Sequence, residues 1–60
     1  MNDLYSVAIE VRGVAAEYLE VRDDLTTGQR ALLVDICEAD LIEANAYRIV
    51  QWWQATGLDY

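Results

Sequence analysis

The first third of this 60-residue chain carries an apolar heptad pattern that strongly limits what it can fold into. Such a pattern is typical of one face of an α helix and, over several heptads, of a coiled-coil interface. It predicts a helix over about residues 3–22, with Asn2 or Asp3 as the N-cap residue. The apolar residues alternate at spacings of three and four without exception, and they are Leu4, Val7, Val11, Val14, Tyr18, Val21 and Leu25.

A β strand is the alternative for residues 5–12. Apolar and more polar residues also alternate there with a period of two, and Gly13 could end such a strand. However, no second run of this kind follows with which a strand could pair, so the helix is the preferred interpretation. Inside a helix, Gly13 would cost about 1 kcal/mol relative to alanine.

The second helix is predicted from its capping residues. Thr26 followed by Gln29 has the spacing of a capping box, so a helix is expected over about residues 28–39. Gly57 is a natural C-terminal stop for the helical segment that ends near residue 56.

Whether residues 28–56 form one helix or two is left open by the sequence. Asp40 and Glu43 repeat the capping-box spacing, and the apolar pattern changes there from a broad face to a narrow stripe. We therefore expect a break near residues 39–41 and a third helix over about 41–56. The predicted fold of residues 1–60 is a single all-α domain, either a helical hairpin or a small three-helix domain.

The apolar content predicts that the chain associates with itself, most simply as a dimer. Hydrophobic residues make up 55% of the chain, whereas a domain of this size buries only about 60% of the surface of its unfolded state. We expect the association to use the heptad positions. The predicted contact residues are Leu4, Val7, Val11, Val14, Tyr18 and Val21.

The negative charge of the chain points to a basic protein partner. Eleven Asp and Glu residues face only four arginines, which gives a formal net charge of −7. None of the arginines has Asp or Glu three or four positions away, the spacing at which helical ion pairs form. Because nucleic acids and anionic membranes carry the same sign of charge, neither is expected as a direct partner.

The predicted partner-binding residues are mostly carboxylates. An acidic row beside the apolar heptad recurs every seven residues and consists of Asp3, Glu10, Glu17 and Asp24. A second acidic group follows in the predicted second and third helices. Trp53 continues the apolar stripe of the last helix and is predicted to be a core residue. Trp52 lies off this stripe and four residues after Arg48, which allows a cation–π contact. The predicted set is Asp3, Glu10, Glu17, Glu20, Asp24, Asp35, Glu38, Glu43, Arg48 and Trp52.

The chain contains few of the side chains that commonly act in catalysis. It contains neither His nor Lys, the commonest general bases, and Cys37 in an apolar run is interpreted as a structural thiol. We therefore predict no catalytic residue, no cofactor and no metal site; a carboxylate metal enzyme is a remote alternative. The single cysteine and the lack of a secretory signal or membrane span predict a cytoplasmic protein.

The leading functional hypothesis is a non-enzymatic module that presents an acidic helical face to a basic partner. It could act as a stoichiometric inhibitor or a partial DNA mimic on a protein that handles nucleic acid. In size, charge and lack of catalytic groups the chain is similar to small anti-defence proteins of phages, anti-CRISPR proteins among them, although no motif identifies a family. The alternative is a structural or regulatory subunit, such as an antitoxin-like partner, that oligomerises through its heptad residues.

Overall fold

The computed structural model describes residues 3–59, which form three α helices: α1 (Leu4–Val21), α2 (Thr27–Glu38) and α3 (Glu43–Thr56). Each helix packs against the other two. The prediction of an all-α three-helix domain is therefore confirmed, and the predicted bounds agree to within two residues. Residues 5–12 lie inside α1, so the strand alternative is wrong, and residues 28–56 do not form a single helix.

Local side-chain caps fix the starts of the first two helices. The Asp3 carboxylate accepts a hydrogen bond from the Ser6 backbone N–H at 2.7 Å, whereas Asn2 lies outside the described residues. At α2 the Thr26 hydroxyl accepts from the Gln29 N–H, and the Gln29 side chain accepts from the Thr26 N–H, both at 3.0 Å. The predicted capping box is thus confirmed, and a cap of this kind contributes typically about 1 kcal/mol.

The break between α2 and α3 forms where it was predicted but not by the predicted cap. The N-cap residue of α3 is Ile42, which has an extended backbone and no side-chain hydrogen bond to the helix. Asp40 lies two residues too early to cap a helix that begins at Glu43, so the expected Asp40–Glu43 capping box is wrong. Instead, the Asn45 side-chain amide donates to the Asp40 carbonyl at 2.8 Å and holds the turn.

The core lies where the three helices meet. Its smallest members, Ala8 and Ala15 of α1, are completely buried, and their small side chains let the other helices approach α1 closely. Trp53, predicted as a core residue, is buried and contacts the Tyr18 ring at a centroid distance of 5.9 Å. The buried apolar residues are Ala8, Val11, Ala15, Leu33, Ile36, Ala46, Ile49 and Trp53.

Most of the heptad pattern serves this intramolecular core. Val11 belongs to the core itself, and Val7, Val14, Tyr18 and Leu25 are half-buried against it. Only Leu4 and Val21, at the two ends of α1, are exposed, at 42% and 69%. The heptad residues therefore face α2 and α3 of the same chain, and they are not available as a complete interface for a second chain.

The accessible surface is that of an ordinary compact monomer. It measures 4,020 Å², against roughly 4,000 Å² expected for a folded chain of 6.8 kDa. Large apolar side chains that remain well exposed are Leu4, Ile9, Val21, Val34, Ile42 and Tyr47. None of the helices within residues 3–59 is both long and apolar enough to cross a lipid bilayer.

Candidate protein-binding surfaces

The carboxylates of the domain are directed to solvent. All eleven acidic residues are exposed, and among the described residues all but Asp3 and Asp24 accept neither a side-chain hydrogen bond nor an ion pair. The Ser6 backbone N–H lowers the pKa of Asp3, and the hydrogen bond from Arg22 lowers the pKa of Asp24. Because both values are lower than in an unfolded chain, the stability these two contacts give is lost as the pH falls through the folded-state pKa values.

The heptad-spaced acidic row is interrupted at its C-terminal end. The helix stops at Val21, so Asp24 lies beyond it, and its carboxylate accepts two hydrogen bonds from Arg22 at 2.9 and 2.7 Å. The Arg22 guanidinium also lies 4.8 Å from the centre of the Tyr18 ring. Including Asp24 in an open helical row was therefore wrong. Asp3, at the other end, is occupied as the cap of α1.

Two further arginines also have contacts within the domain. Arg12 donates to the Cys37 carbonyl at 3.0 Å, at the C-terminal end of α2, where backbone carbonyls lack helical partners. Arg48 lies 5.9 Å from the Trp52 ring centre, which confirms the contact predicted from their spacing. Arg30 is exposed and makes no such contact among the described residues. The cations therefore leave most of the acidic surface uncompensated.

The first candidate surface is the α1 acidic face, which we define as Ile9, Glu10, Gly13, Glu17 and Glu20. At 100° per residue these five positions fall on the side of α1 opposite its buried residues, and all five are exposed. Together with Val14, four of them line a shallow groove of about 440 Å³. The face therefore combines an apolar strip at Ile9 and Gly13 with three carboxylates and contains no cation.

The second candidate surface is the α2–α3 groove, of about 370 Å³. The end of α2 contributes two carboxylates, the connection adds a third, and α3 supplies Arg48 and Trp52. Four predicted partner-binding residues thus come together here although they are up to 17 positions apart in the chain. The lining residues are Asp35, Glu38, Ala39, Asp40, Asn45, Arg48 and Trp52.

Glu43 belongs to neither of these surfaces. It lies in the first turn of α3, where a carboxylate interacts favourably with the helix dipole. With Asp3 it borders a third groove, of about 310 Å³, which also exposes the apolar side chains of Leu4 and Tyr47. Apart from Asp24, which lies beyond α1 in contact with Arg22, the predicted binding residues are therefore distributed over three separate surfaces.

Cys37 carries the single thiol of the chain. Cys37 is half-buried, and burial raises the pKa of its thiol, so it stays protonated at neutral pH. Within residues 3–59 the cysteine and the acidic residues do not form a group of three that could hold a metal ion.

Five residues of the two main surfaces were absent from the predicted set. Ile9 and Gly13 were considered only for their effect on secondary structure, Ala39 only as part of the break between helices, and Asp40 only as a cap. Asn45 carried no signal, because its position depends on the turn before α3. The helical projection of α1 could have identified Ile9 and Gly13, since both lie among the three glutamates.

Comparison of the chain with protein-family models, with curated proteins and with solved structures finds no significant match in any of the three. Function has therefore to be inferred from the side chains and the surfaces that they form.

Proposed function

We propose that this chain is a non-enzymatic protein-binding module whose acidic surface binds a basic surface of another protein. The observation that carries the proposal is the set of exposed carboxylates without hydrogen bonds or ion pairs, beside arginines that are mostly held in contacts within the domain. Like charges on one helix face destabilise it slightly, so the fold itself gains nothing from them. A basic partner would relieve this repulsion and would be attracted over long distances.

The partner we propose is a protein that handles nucleic acid, on which the module acts as a stoichiometric inhibitor and partial DNA mimic. Basic surfaces are typical of such proteins. Glu10, Glu17 and Glu20 place three charges along about 15 Å of helix axis, at 1.5 Å per residue. Duplex DNA carries about nine phosphate charges over the same length. Mimicry by this face alone is therefore partial, and apolar contacts have to supply the rest of the affinity.

The test starts with affinity capture from the native host and continues with the purified partner. The wild-type chain should compete with labelled DNA for that partner, and its affinity should fall steeply between about 0.05 and 0.2 M salt. The variant with Glu10, Glu17 and Glu20 all changed to Gln should bind about tenfold more weakly, with a flatter salt dependence. Circular dichroism must show that its helices persist.

A matched control removes the same number of charges elsewhere. Asp23→Asn, Glu43→Gln and Asp59→Asn together should leave affinity and salt dependence close to those of the wild type. If the α1 variant also binds like the wild type, the α1 acidic face is not the binding site. If no partner competes with DNA, the proposed role as a DNA mimic is wrong.

A structural or regulatory subunit, such as an antitoxin-like partner, is the second candidate. It is favoured by the exposed apolar residues at the ends of α1, Leu4 and Val21. Such a chain would form a homodimer whose stability hardly changes with salt, in contrast to binding through carboxylates. Light scattering at micromolar concentration tests this, because a monomeric mass at all salt concentrations excludes it.

A further inference from the structure

Gly13 occupies a place in α1 where nothing in the fold requires a glycine. It lies in the middle of the helix on the exposed side, and its backbone does not have the positive φ that favours glycine. A Cβ atom added there would have no heavy atom within 4 Å outside its own helix segment. An alanine would therefore fit, and it would suit the helix better.

Gly13 lines the groove on the α1 acidic face, and because it has no side chain the space above its backbone is open. Ile9, 44% exposed, and the half-buried Val14 are its apolar lining residues, and Glu10 and Glu17 line it with carboxylates. Helices pack with their axes 8–10 Å apart according to the side chains at the contact, and a glycine there permits the closest approach. The shape of the groove therefore suits a second helix that crosses α1 at Gly13.

Charge complementarity decides between a second copy of this chain and another protein. Two copies meeting at this face would place the carboxylates of Glu10, Glu17 and Glu20 opposite one another. The nearby Arg12 could not compensate, because it already donates to the Cys37 carbonyl in the same chain. The occupant has to bring its own cations.

We propose that the α1 acidic face docks one amphipathic helix of the basic partner, with apolar side chains over Ile9 and Gly13 and flanking Lys or Arg residues against the glutamates. This inference rests on the proposed function and names the structural element that the site binds. It belongs to the helix-in-groove class of recognition, in which apolar residues at helical spacing anchor the ligand and charges fix its register.

The test uses two synthetic peptides as probes, a helical peptide with a leucine stripe flanked by arginines and a peptide of the same composition with the leucines dispersed. The wild-type chain should bind the striped peptide at least about tenfold more tightly than the dispersed one. Gly13→Ala should weaken that binding several-fold, and Gly13→Leu should abolish the preference. Gly13→Ala should nevertheless raise the melting temperature of the free domain by about 4–8 °C.

Gly28→Ala is the matched control. Gly28 is exposed in the first turn of α2, and an added Cβ would meet only the Thr26 hydroxyl oxygen at an ordinary contact distance of 4.0 Å. This variant should bind the striped peptide like the wild type. In addition, the amide NMR shifts caused by the peptide should be centred on Gly13 and should be absent from the α2–α3 groove.

The outcomes separate the two proposals. If the Glu10, Glu17 and Glu20 variant loses binding while both Gly13 variants keep it, an acidic binding face remains but helix docking at Gly13 is wrong. If the wild type binds neither peptide, or if charge neutralisation changes nothing, helix docking at the α1 acidic face is wrong, whereas the acidic binding function itself stands or falls with the salt-dependent capture of the native partner. Shifts centred on the α2–α3 groove would also overturn docking at Gly13.

Discussion

The α1 acidic face and the α2–α3 groove each carry three carboxylates, but only the groove contains a cation. In the groove Arg48 lies over Trp52 and offsets part of the charge of Asp35, Glu38 and Asp40. The α1 acidic face has no such group, because the arginine nearest to it in sequence, Arg12, reaches the end of α2. Equal numbers of acidic residues therefore give surfaces of different net charge, and the contacts of the arginines determine which of the two surfaces is the more negative.

Both surfaces depend on one core, so a core cavity should have the largest effect on either. Ile49→Ala removes a completely buried side chain and should lower the free energy of unfolding by about 2–5 kcal/mol. Since a 60-residue domain is stable by only roughly 3–9 kcal/mol, this variant should be close to unfolding. Urea titration followed by tryptophan fluorescence and by circular dichroism measures the change.

The control for Ile49→Ala is Val34→Ala, which shortens an exposed side chain and should change stability by less than about 0.5 kcal/mol. In the wild type, the fluorescence and dichroism transitions should coincide. Two separate transitions would mean that the α1 acidic face and the α2–α3 groove belong to parts of the domain that unfold independently.

The second largest effect on stability should come from Arg12. Its guanidinium reaches the end of α2, and the α1 acidic face therefore has no cation. Arg12→Gln loses the charged hydrogen bond to the Cys37 carbonyl and should destabilise the domain by about 1.5 kcal/mol. Arg30→Gln removes the same charge from an exposed position without such a contact and should be nearly neutral. Equal urea midpoints for the two variants would show that Arg12 has no structural role.

The smallest effect on stability should come from a substitution in the α2–α3 groove. Arg48→Gln removes the cation from the face of Trp52, a half-exposed contact that contributes about 0.5–1 kcal/mol. The variant should make the groove resemble the α1 acidic face, so an arginine-rich peptide should now shift groove amides in NMR spectra. If the peptide still does not shift the groove amides of the variant, net charge alone does not explain the difference between the two surfaces.

The sequence predicted the helices well because their limits depend on interactions between near neighbours. The Asp3 cap, the Thr26–Gln29 capping box and the stop at Gly57 each involve residues no more than three or four positions apart. The stripe of α3 identified Trp53 as a core residue for the same reason. The Asp40–Glu43 cap failed because Ile42 became the N-cap, with the turn held by Asn45.

The candidate sites were predicted in their residue types but not in their grouping. A heptad pattern specifies a helix with one apolar face, and it does not specify whether a second chain or the same chain covers that face. Here α2 and α3 cover most of that face. The association of this chain with copies of itself therefore stays a prediction. The grouping of Asp35 and Glu38 with Arg48 and Trp52 required the angle at the break between α2 and α3.

By itself the sequence determined the helical segments, the caps at Asp3 and Thr26 and the large excess of negative charge, because periodicity, capping and composition are local properties of the chain. The tertiary structure alone decided what covers the apolar face of α1 and which contacts the arginines make. Those outcomes depend on contacts between residues far apart in sequence, such as Arg12 with Cys37 and Tyr18 with Asp59. Such contacts exist only after the helices have packed, and they determine where the charge remains open to a partner.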